Sequence, residues 1–297
     1  RYYCDKPGGL SGIVILKSAQ KAITYTSDQQ LVFYDSLANG LKYSAVCKPV
    51  NHGGIIMAIN DQIRFENCDT LTVLLAAHTD YLPDHNKGWR GSDPEEKLKQ
   101  EINTAVSFGY SKLKERHLSD FRQLTERVSL KLANKTIPHT CLPERLEAYI
   151  NGNDDPGLES LIFHYGRYLL ISSSRQGGLP ANLQGLWNNS NTPPWASDYH
   201  SNINLQMNYW HSEVTNLPEC HMPLFDFLEA ASEPCRVATR KAFGEHIPGW
   251  TCRTSQSIFG GNGWEWNIPA SAWYSLHFYE HWAFTKDDTF LVNRALP

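Results

Sequence analysis

The sequence changes texture at Asp155, and no single layer of secondary structure accommodates both of its halves. Between residues 11 and about 82, short stretches rich in β-branched and aromatic residues (GIVILK, AITYT, QLVFYD, GIIMAI and TLTVLLAAHT) alternate with turn residues such as Asn39-Gly40 and Asn51-His52-Gly53-Gly54. Branched and aromatic side chains suit a pleated, half-buried surface, and Asn and Gly tolerate the backbone of tight turns, so this half predicts strands. Their regular spacing predicts a sandwich rather than alternating βαβ units. The stretch YLPDHNKGWRGSDPEE reads as a connector, with Ser92 as N-cap and Pro94 in the first turn of an amphipathic, interrupted helix. Beyond Asp155, apolar residues recur at helical spacing in PGLESLIFHYGRYLLISSSR, NLQMNYWHSEV, MPLFDFLEAASEPCRVATRKAF and IPASAWYSLHFYEHWAF. Loops rich in Gly, Pro and Asn join them, and no strand is predicted among them. The predicted class is α + β and multidomain: a β-sandwich region over residues 1–82, a linker and helical connector over 83–154, and a helical domain over 155–297.

Bulk properties exclude several function classes. The net charge of -4 comes with Lys and Arg scattered and outnumbered by Asp and Glu, so no basic stripe for nucleic acid is present. No apolar run approaches the roughly 20 residues that a membrane-spanning helix needs. The seven cysteines, at positions 4, 47, 68, 141, 220, 235 and 252, contain no CxxC pair. An odd count without regular spacing argues against a disulfide framework, and Cys220-His221 lacks paired ligands at metal-binding spacing. No metal and no cofactor is therefore expected.

Eight of the nine tryptophans follow position 186, and five of those (Trp187, Trp195, Trp250, Trp264 and Trp266) sit among Gly, Pro, Asn and Ser. Flat, rigid aromatics in loops suit a pocket that grips an apolar ring face, as sugars present. The segment Asp198-Tyr199-His200-Ser201-Asn202-Ile203-Asn204 follows two of them. Residues two apart point to the same side of an extended chain, so His200, Asn202 and Asn204 are expected to project into one cleft if the helix starts near Asn204. The competing role for either Asn is a helix cap, which Asn fills well.

FHYGRYLLISSSRQGGLPANLQGLWNNSNTPPWASDYHSNINLQMNYWHSEVTNLPECHMPLFDF closely resembles glycoside hydrolase family 95, the family of 1,2-α-L-fucosidases and related α-L-galactosidases. YGRYLL, LPANLQGLW, NINLQMNYW and LFDF stand in that family's order and spacing. The resemblance covers about half of the chain strongly, and the amino-terminal strands carry no motif of it.

The resemblance implies part of an (α/α)6 helical toroid over residues 155–297. A closed toroid of this kind needs about a dozen helices of about 11–12 residues, more than the roughly 140 residues after Asp155 provide, so the sequence reads as truncated. It also implies an inverting exo-glycosidase that removes terminal α-L-fucose or α-L-galactose from a glycan. In such an enzyme an acid protonates the leaving oxygen while a water attacks the opposite ring face. In this family two amides hold that water, one of them polarised by a distant Asp. Asn202 and Asn204 match those catalytic amides, and His200 matches the His of the same motif and is expected to bind a sugar hydroxyl. Tyr165 falls where the family places a substrate-contacting Tyr, and Trp273 where it places a stacking Trp. The family's general acid Glu and polarising Asp are expected beyond Pro297; Glu265, between two tryptophans, and the helical Glu280 gain no such role. After Gly249-Trp250 the family usually continues with paired histidines and an Asp, where this chain reads Thr251-Cys252-Arg253-Thr254-Ser255-Gln256-Ser257. That departure bears on the choice between fucose and L-galactose. The alternative is a carbohydrate-binding fragment without catalysis. A periplasmic or extracellular location follows from the substrate class alone.

Overall fold

In the computed structural model, which describes residues 1–132 and 140–297, the chain forms two units, Arg1–Ser119 and Asp120–Pro297. The boundary falls inside the 83–154 stretch that the sequence reads as a connector.

In the first unit, β1 (Tyr2–Tyr3), β2 (Leu10–Ile15), β3 (Thr24–Ser27), β4 (Gln30–Ser36), β5 (Lys42–His52), β6 (Ile55–Ile59), β7 (Gln62–Cys68) and β8 (Thr70–Thr79) form two antiparallel sheets. Their orders are β1-β8-β5-β4-β3 and β2-β7-β6. Side-chain parity builds the layers. Leu31, Cys47 and Val73 face one way and pack with Ile63, Val14 and Ile56 between the sheets. Their chain neighbours Val32, Val46 and Leu74 face the other way and bury Leu98 and Ile102 of helix α1 (Pro94–Thr125). Strand β5, covered on both faces, is one that the sequence does not predict, because KYSAVCKPVNH has no alternation to see. Its Pro49 lies opposite Val73 of β8, past Cys47, where the pairing with β4 ends, so the missing N–H costs no ladder bond to β4. QIRFENC, strand β7, is likewise not predicted, although its Ile63-Arg64-Phe65-Glu66 alternates as a half-buried strand does.

The cap of α1 is Asp93, whose carboxylate accepts from the Glu95 N–H at 3.1 Å, rather than the expected Ser92. A cap side chain must reach the N–H two or three residues on, and Asp93 stands directly before the helix. The helix breaks at Gly109, whose φ of 69° and ψ of 166° no helical residue adopts.

The second unit contains α2 (Leu142–Ile150), α3 (Pro156–Ser173), β9 (Tyr199–His200), α4 (Asn204–Tyr209), α5 (Pro218–Phe243), β10 (Cys252–Gln256), β11 (Asn262–Asn267) and α6 (Ala270–Thr285). Asp155 caps α3 through the Leu158 N–H at 2.9 Å and also receives two Arg145 N–H groups at 2.9 Å each. The core joins Leu170 and Ile171 of α3, Leu205 and Tyr209 of α4, Leu224 and Phe227 of α5, and Tyr274 of α6. Three strands stand where none is expected, in the antiparallel order β11-β10-β9. CRTSQ and NGWEWN carry almost no aliphatic residues, so their pairing is imposed by the surrounding structure and not by pattern. Helix α4 is shorter than NLQMNYWHSEV suggests, because the chain turns repeatedly after Tyr209. Among the described residues, no helix is long and apolar enough to cross a membrane.

Arg167, only 2% exposed, holds this unit together without a carboxylate partner among the described residues. Its guanidinium donates to the Leu124, Thr125 and Val128 carbonyls at 2.8, 2.9 and 3.3 Å and to the Thr215 carbonyl at 3.2 Å. Five donors in a rigid plane suit four carbonyls from two separate chain segments; an ammonium does not span them. Arg167→Met is expected to destabilise this unit by about 2–4 kcal/mol, since buried carbonyls lose their donors, and Arg167→Lys to recover less than half of that. Urea unfolding of the variants checks this; a change below about 1 kcal/mol for Arg167→Met would contradict it.

Candidate active site

The segment from Tyr199 to Asn204 is a strand, a turn and a helix start in six residues, and its fixed point is Ser201. Two-residue β9 pairs with β10, setting His200 opposite Ser255 and Tyr199 opposite Gln256. Ser201 is fully buried. Its N–H donates to Thr254 O at 2.8 Å, its Oγ to Arg253 O at 3.0 Å, and its carbonyl accepts from Asn267 Nδ2 at 2.8 Å and from Gln206 Nε2. Tyr199 is anchored through its ring, 4.5 Å from that of Phe227, and its hydroxyl, which donates to Pro180 O at 2.9 Å.

His200 is buried. Its Nε2 lies 2.8 Å from Oδ1 of Asp198, and its ring packs 4.8 Å from that of Trp264, which is half exposed. Asn202 occupies the turn and Asn204 is the first residue of α4; both side chains are exposed, and neither hydrogen-bonds another described residue. The extended segment thus ends at His200, and the two-residue alternation expected through Asn204 stops at Ser201. Helix α4 has no side-chain cap, so neither Asn serves in the competing role of helix cap. Tyr165 lies exposed on α3, stacked on Tyr168 at 5.9 Å, and Trp273 is half-buried in the first turn of α6. The cavity between α5 and α6, the small one beside Glu213 and the one between α3 and α4 include none of Tyr165, Trp273 and His200 in their linings.

A cavity of about 420 Å³ lies between α3, the 181–187 loop and α4, with Asn182, Gln184, Trp187, Asn208 and His211 among its lining residues. The loop is docked by Tyr209, whose hydroxyl accepts from the Ala181 N–H at 2.7 Å, and by Asn208, whose amide donates to Ala181 O and Asn182 O. It then passes through Trp195, Ala196 and Ser197, all left-handed, with φ of 48°, 57° and 51°. Three such non-glycine residues in a row cost about 1–3 kcal/mol each and persist only where the surroundings hold them.

A sequence profile of the glycosyl hydrolase family 95 catalytic domain matches residues 109–297. The chain belongs to glycoside hydrolase family 95. It is similar to "Alpha-L-fucosidase 2" of Arabidopsis thaliana, 35% identical over an alignment of 277 positions that covers 87% of this chain and 32% of that protein. It is also similar to "Probable alpha-fucosidase A" of Aspergillus niger, 33% identical over 236 residues (76% of this chain, 30% of that protein), and of Aspergillus oryzae, 36% identical over 211 residues (68% and 29%). The chain therefore spans about a third of the length of these curated relatives. A solved structure described as "Putative kojibiose phosphorylase from human microbiome" shares the fold at a TM-score of 0.62 and 9% identity, covering 96% of this chain and 36% of that one.

Within this family 95 chain, the densest set of buried titratable groups is one that sequence reasoning missed. Glu213 Oε1 accepts from Nδ1 of His221 at 2.8 Å and from Nδ1 of His281 at 2.6 Å, and His221 Nε2 meets His277 Nδ1 at 3.0 Å. The i, i+4 spacing of His277 and His281 is a visible signal of one shared helix face, but their partners come from α5 and from the turn after α4. Glu213, His221 and His281 present ligand atoms within 4.8 Å of one another, as a metal site would. The oxygen-to-nitrogen separations are those of hydrogen bonds, however, whereas ligand atoms around tetrahedral zinc stand about 3.3 Å apart. The cluster reads as a carboxylate held by two imidazole donors. Burial alone would raise the Glu213 carboxyl, but the hydrogen bonds from His221 and His281 outweigh it and bring the pKa down to about 2. Burial drives His277 down to about 3 and His221 in the same direction.

These shifts predict acid lability with a definite sign. Unfolded, His277 takes up a proton below its ordinary pKa of 6.5, and folded it stays neutral until about pH 3. Glu213 protonates near 4.5 when unfolded and stays ionised in the folded chain down to about 2. Both proton uptakes favour the unfolded state, so their stabilisation is complete above pH 6.5 and falls as the pH drops. The histidine contribution goes first, at about 1.4 kcal/mol per pH unit for each proton, and the Glu213 contribution follows below pH 4.5. Denaturation midpoints measured from pH 7 to 4 check this, and His277→Gln should flatten the limb above pH 4.5. Unchanged stability between pH 7 and 5 in the parent chain would refute it.

Proposed function

We propose that the full-length protein is an inverting exo-glycosidase that releases terminal α-L-fucose or α-L-galactose, with residues 155–297 forming part of an (α/α)6 toroid and with Asn202 and Asn204 holding the attacking water. The observation that carries this reading is the His200-x-Asn202-x-Asn204 segment, pinned at Ser201 between a strand and a helix in a chain of family 95. The three relatives named above are alpha-fucosidases by name, which supports the sugar class. Both amides are exposed and have no side-chain hydrogen bond to a described residue, which leaves their oxygens and N–H groups available to a water. An amide oxygen is a weak base. It serves here by accepting a hydrogen bond from a water that becomes more acidic as it attacks, the usual base being divided between two groups. In this scheme the leaving-group proton comes from a carboxylic acid on the face of the sugar opposite the water. His200, Tyr165 and Trp273 bind substrate in this scheme, and the protein works on glycans in the periplasm or outside the cell.

L-galactose as the alternative sugar rests on residues 251–257, where the family's paired histidines and Asp are replaced. That stretch contains β10, the strand alongside His200, so its side chains border any sugar that His200 touches. An apolar pocket rejects one added hydroxyl by only about a hundredfold, so discrimination at this position depends on a polar partner.

Two measurements test the proposal. NMR of the nascent sugar should show the β-anomer first; initial α-anomer would mean retention and refute the two-amide scheme. In steady-state kinetics on one α-L-linked substrate, Asn202→Ala should lower kcat by about two to four orders of magnitude. Asn204→Asp should also lower it severely, because a second anion beside the family's polarising Asp drives one of the two carboxyls to take a proton. His200→Ala should instead raise KM about tenfold or more. Near-normal kcat in both Asn variants would remove the catalytic role.

A further inference from the structure

The geometry points to Asp198 as a positioning residue that decides which nitrogen of His200 faces the sugar. This rests on the reading of His200 as a sugar-binding group. Asp198 Oδ1 and His200 Nε2 are both buried and 2.8 Å apart, yet the pair is not aligned as a hydrogen bond and neither atom has another aligned partner. Two buried polar atoms left in that condition destabilise the site until they pair. Hydrogen bonds at active sites are commonly misaligned without substrate and tighten with it, and a small swing of the imidazole completes this one.

The surroundings leave Asp198 few alternatives. Its second oxygen, Oδ2, accepts from Ser255 Oγ, and Ser255 is the register partner of His200 across β9 and β10. Its backbone N–H donates to Trp195 O at 3.2 Å, and its carbonyl accepts from the Leu183 N–H at 3.3 Å. The strained Trp195-Ala196-Ser197 turn delivers the carboxylate to this spot. Trp264 covers one side of the imidazole, so the ring is clamped between an indole and a carboxylate.

The consequence is a fixed tautomer. With Nε2–H directed at Asp198, Nδ1 is left as the acceptor for a sugar hydroxyl, and it makes no hydrogen bond to a described residue. Ser255 acts one step further out, since it holds the carboxylate that holds the ring. It is also one of the residues standing where the family usually has its histidines and Asp, so here the loop orients His200 instead of supplying its own ligands.

The test uses the full-length protein and 4-nitrophenyl α-L-fucoside. Asp198→Ala should raise KM about tenfold and change kcat less than threefold, and Asp198→Ala/His200→Ala should be no worse than His200→Ala alone. A merely structural Asp198 would give additive losses, or a lower melting temperature with KM unmoved, and either result overturns the proposal. The direct readout is the ¹⁵N spectrum of labelled His200: the Nε2–H tautomer in the parent protein, and its loss or mixing in Asp198→Asn. An unchanged tautomer in Asp198→Asn overturns the proposal whatever the kinetics show. If His200→Ala leaves KM unmoved while the tautomer does depend on Asp198, the sugar-binding reading of His200 fails and the positioning of His200 by Asp198 stands.

Discussion

The short turn that follows α4 is where the second unit is tied together. Glu213 within it accepts from imidazoles on α5 and α6, and two residues later the Thr215 carbonyl takes an N–H from Arg167 on α3. Three helices are thereby referenced to one stretch of irregular backbone. The turn pairs several of its own N–H groups internally, but the Glu213 carboxylate and the Thr215 carbonyl are met by the helices, and inside a core an unmet polar group is expensive, so the helices must be placed where their donors reach. The arrangement is self-reinforcing, because Arg167 also gathers the Leu124 and Thr125 carbonyls at the end of α1 and the Val128 carbonyl just beyond it. Apolar contacts around Tyr209, Leu217 and Leu224 supply most of the burial, but these polar contacts permit one arrangement of the helices and not its neighbours.

What this rigidity serves is the segment immediately before it. Helix α4 is only six residues long, too short to hold its own position, and is held at one end by the Glu213 turn and at the other by Ser201. The strand pairing of β9 with β10 and the side chains of Gln206 and Asn267 converge on Ser201 from three directions. Asn202 and Asn204 lie within three residues of that point. In the proposed scheme the two amides hold a water and so need backbone that does not drift, and here exposed side chains stand on an immobilised main chain. The loop bearing Trp187 and Trp195 reaches the same place, held to α4 through Tyr209 and Asn208.

Much of this was legible in the residues themselves. YGRYLL, LPANLQGLW and NINLQMNYW led to family 95 before any coordinates, and the family profile matches from residue 109 to the last residue. The long helices α3, α5 and α6 were visible because an apolar stripe at helical spacing is a local property of the chain. Strand β5 and the β9-β10-β11 sheet were not, since a strand covered on both faces or paired by polar residues shows no period of two. The buried Glu213 cluster escaped for a related reason: in sequence it is one Glu and three His separated by up to 68 positions.

The sequence by itself determined the family, the class of each half of the chain and the identity of the His-x-Asn-x-Asn motif, because these depend on residue type and local spacing alone. Only the tertiary structure decided that His200 is buried while Asn202 and Asn204 are exposed, that Asp198 and Ser255 stand beside that histidine, and that Tyr165 is exposed on α3 and Trp273 half-buried on α6. The alternation rule that would have aligned His200 with the two asparagines holds only along extended chain. Whether the chain stays extended past Ser201 is settled by partners 52 to 66 residues away, the Arg253 carbonyl and the Asn267 amide, and no local pattern records hydrogen bonds at that distance.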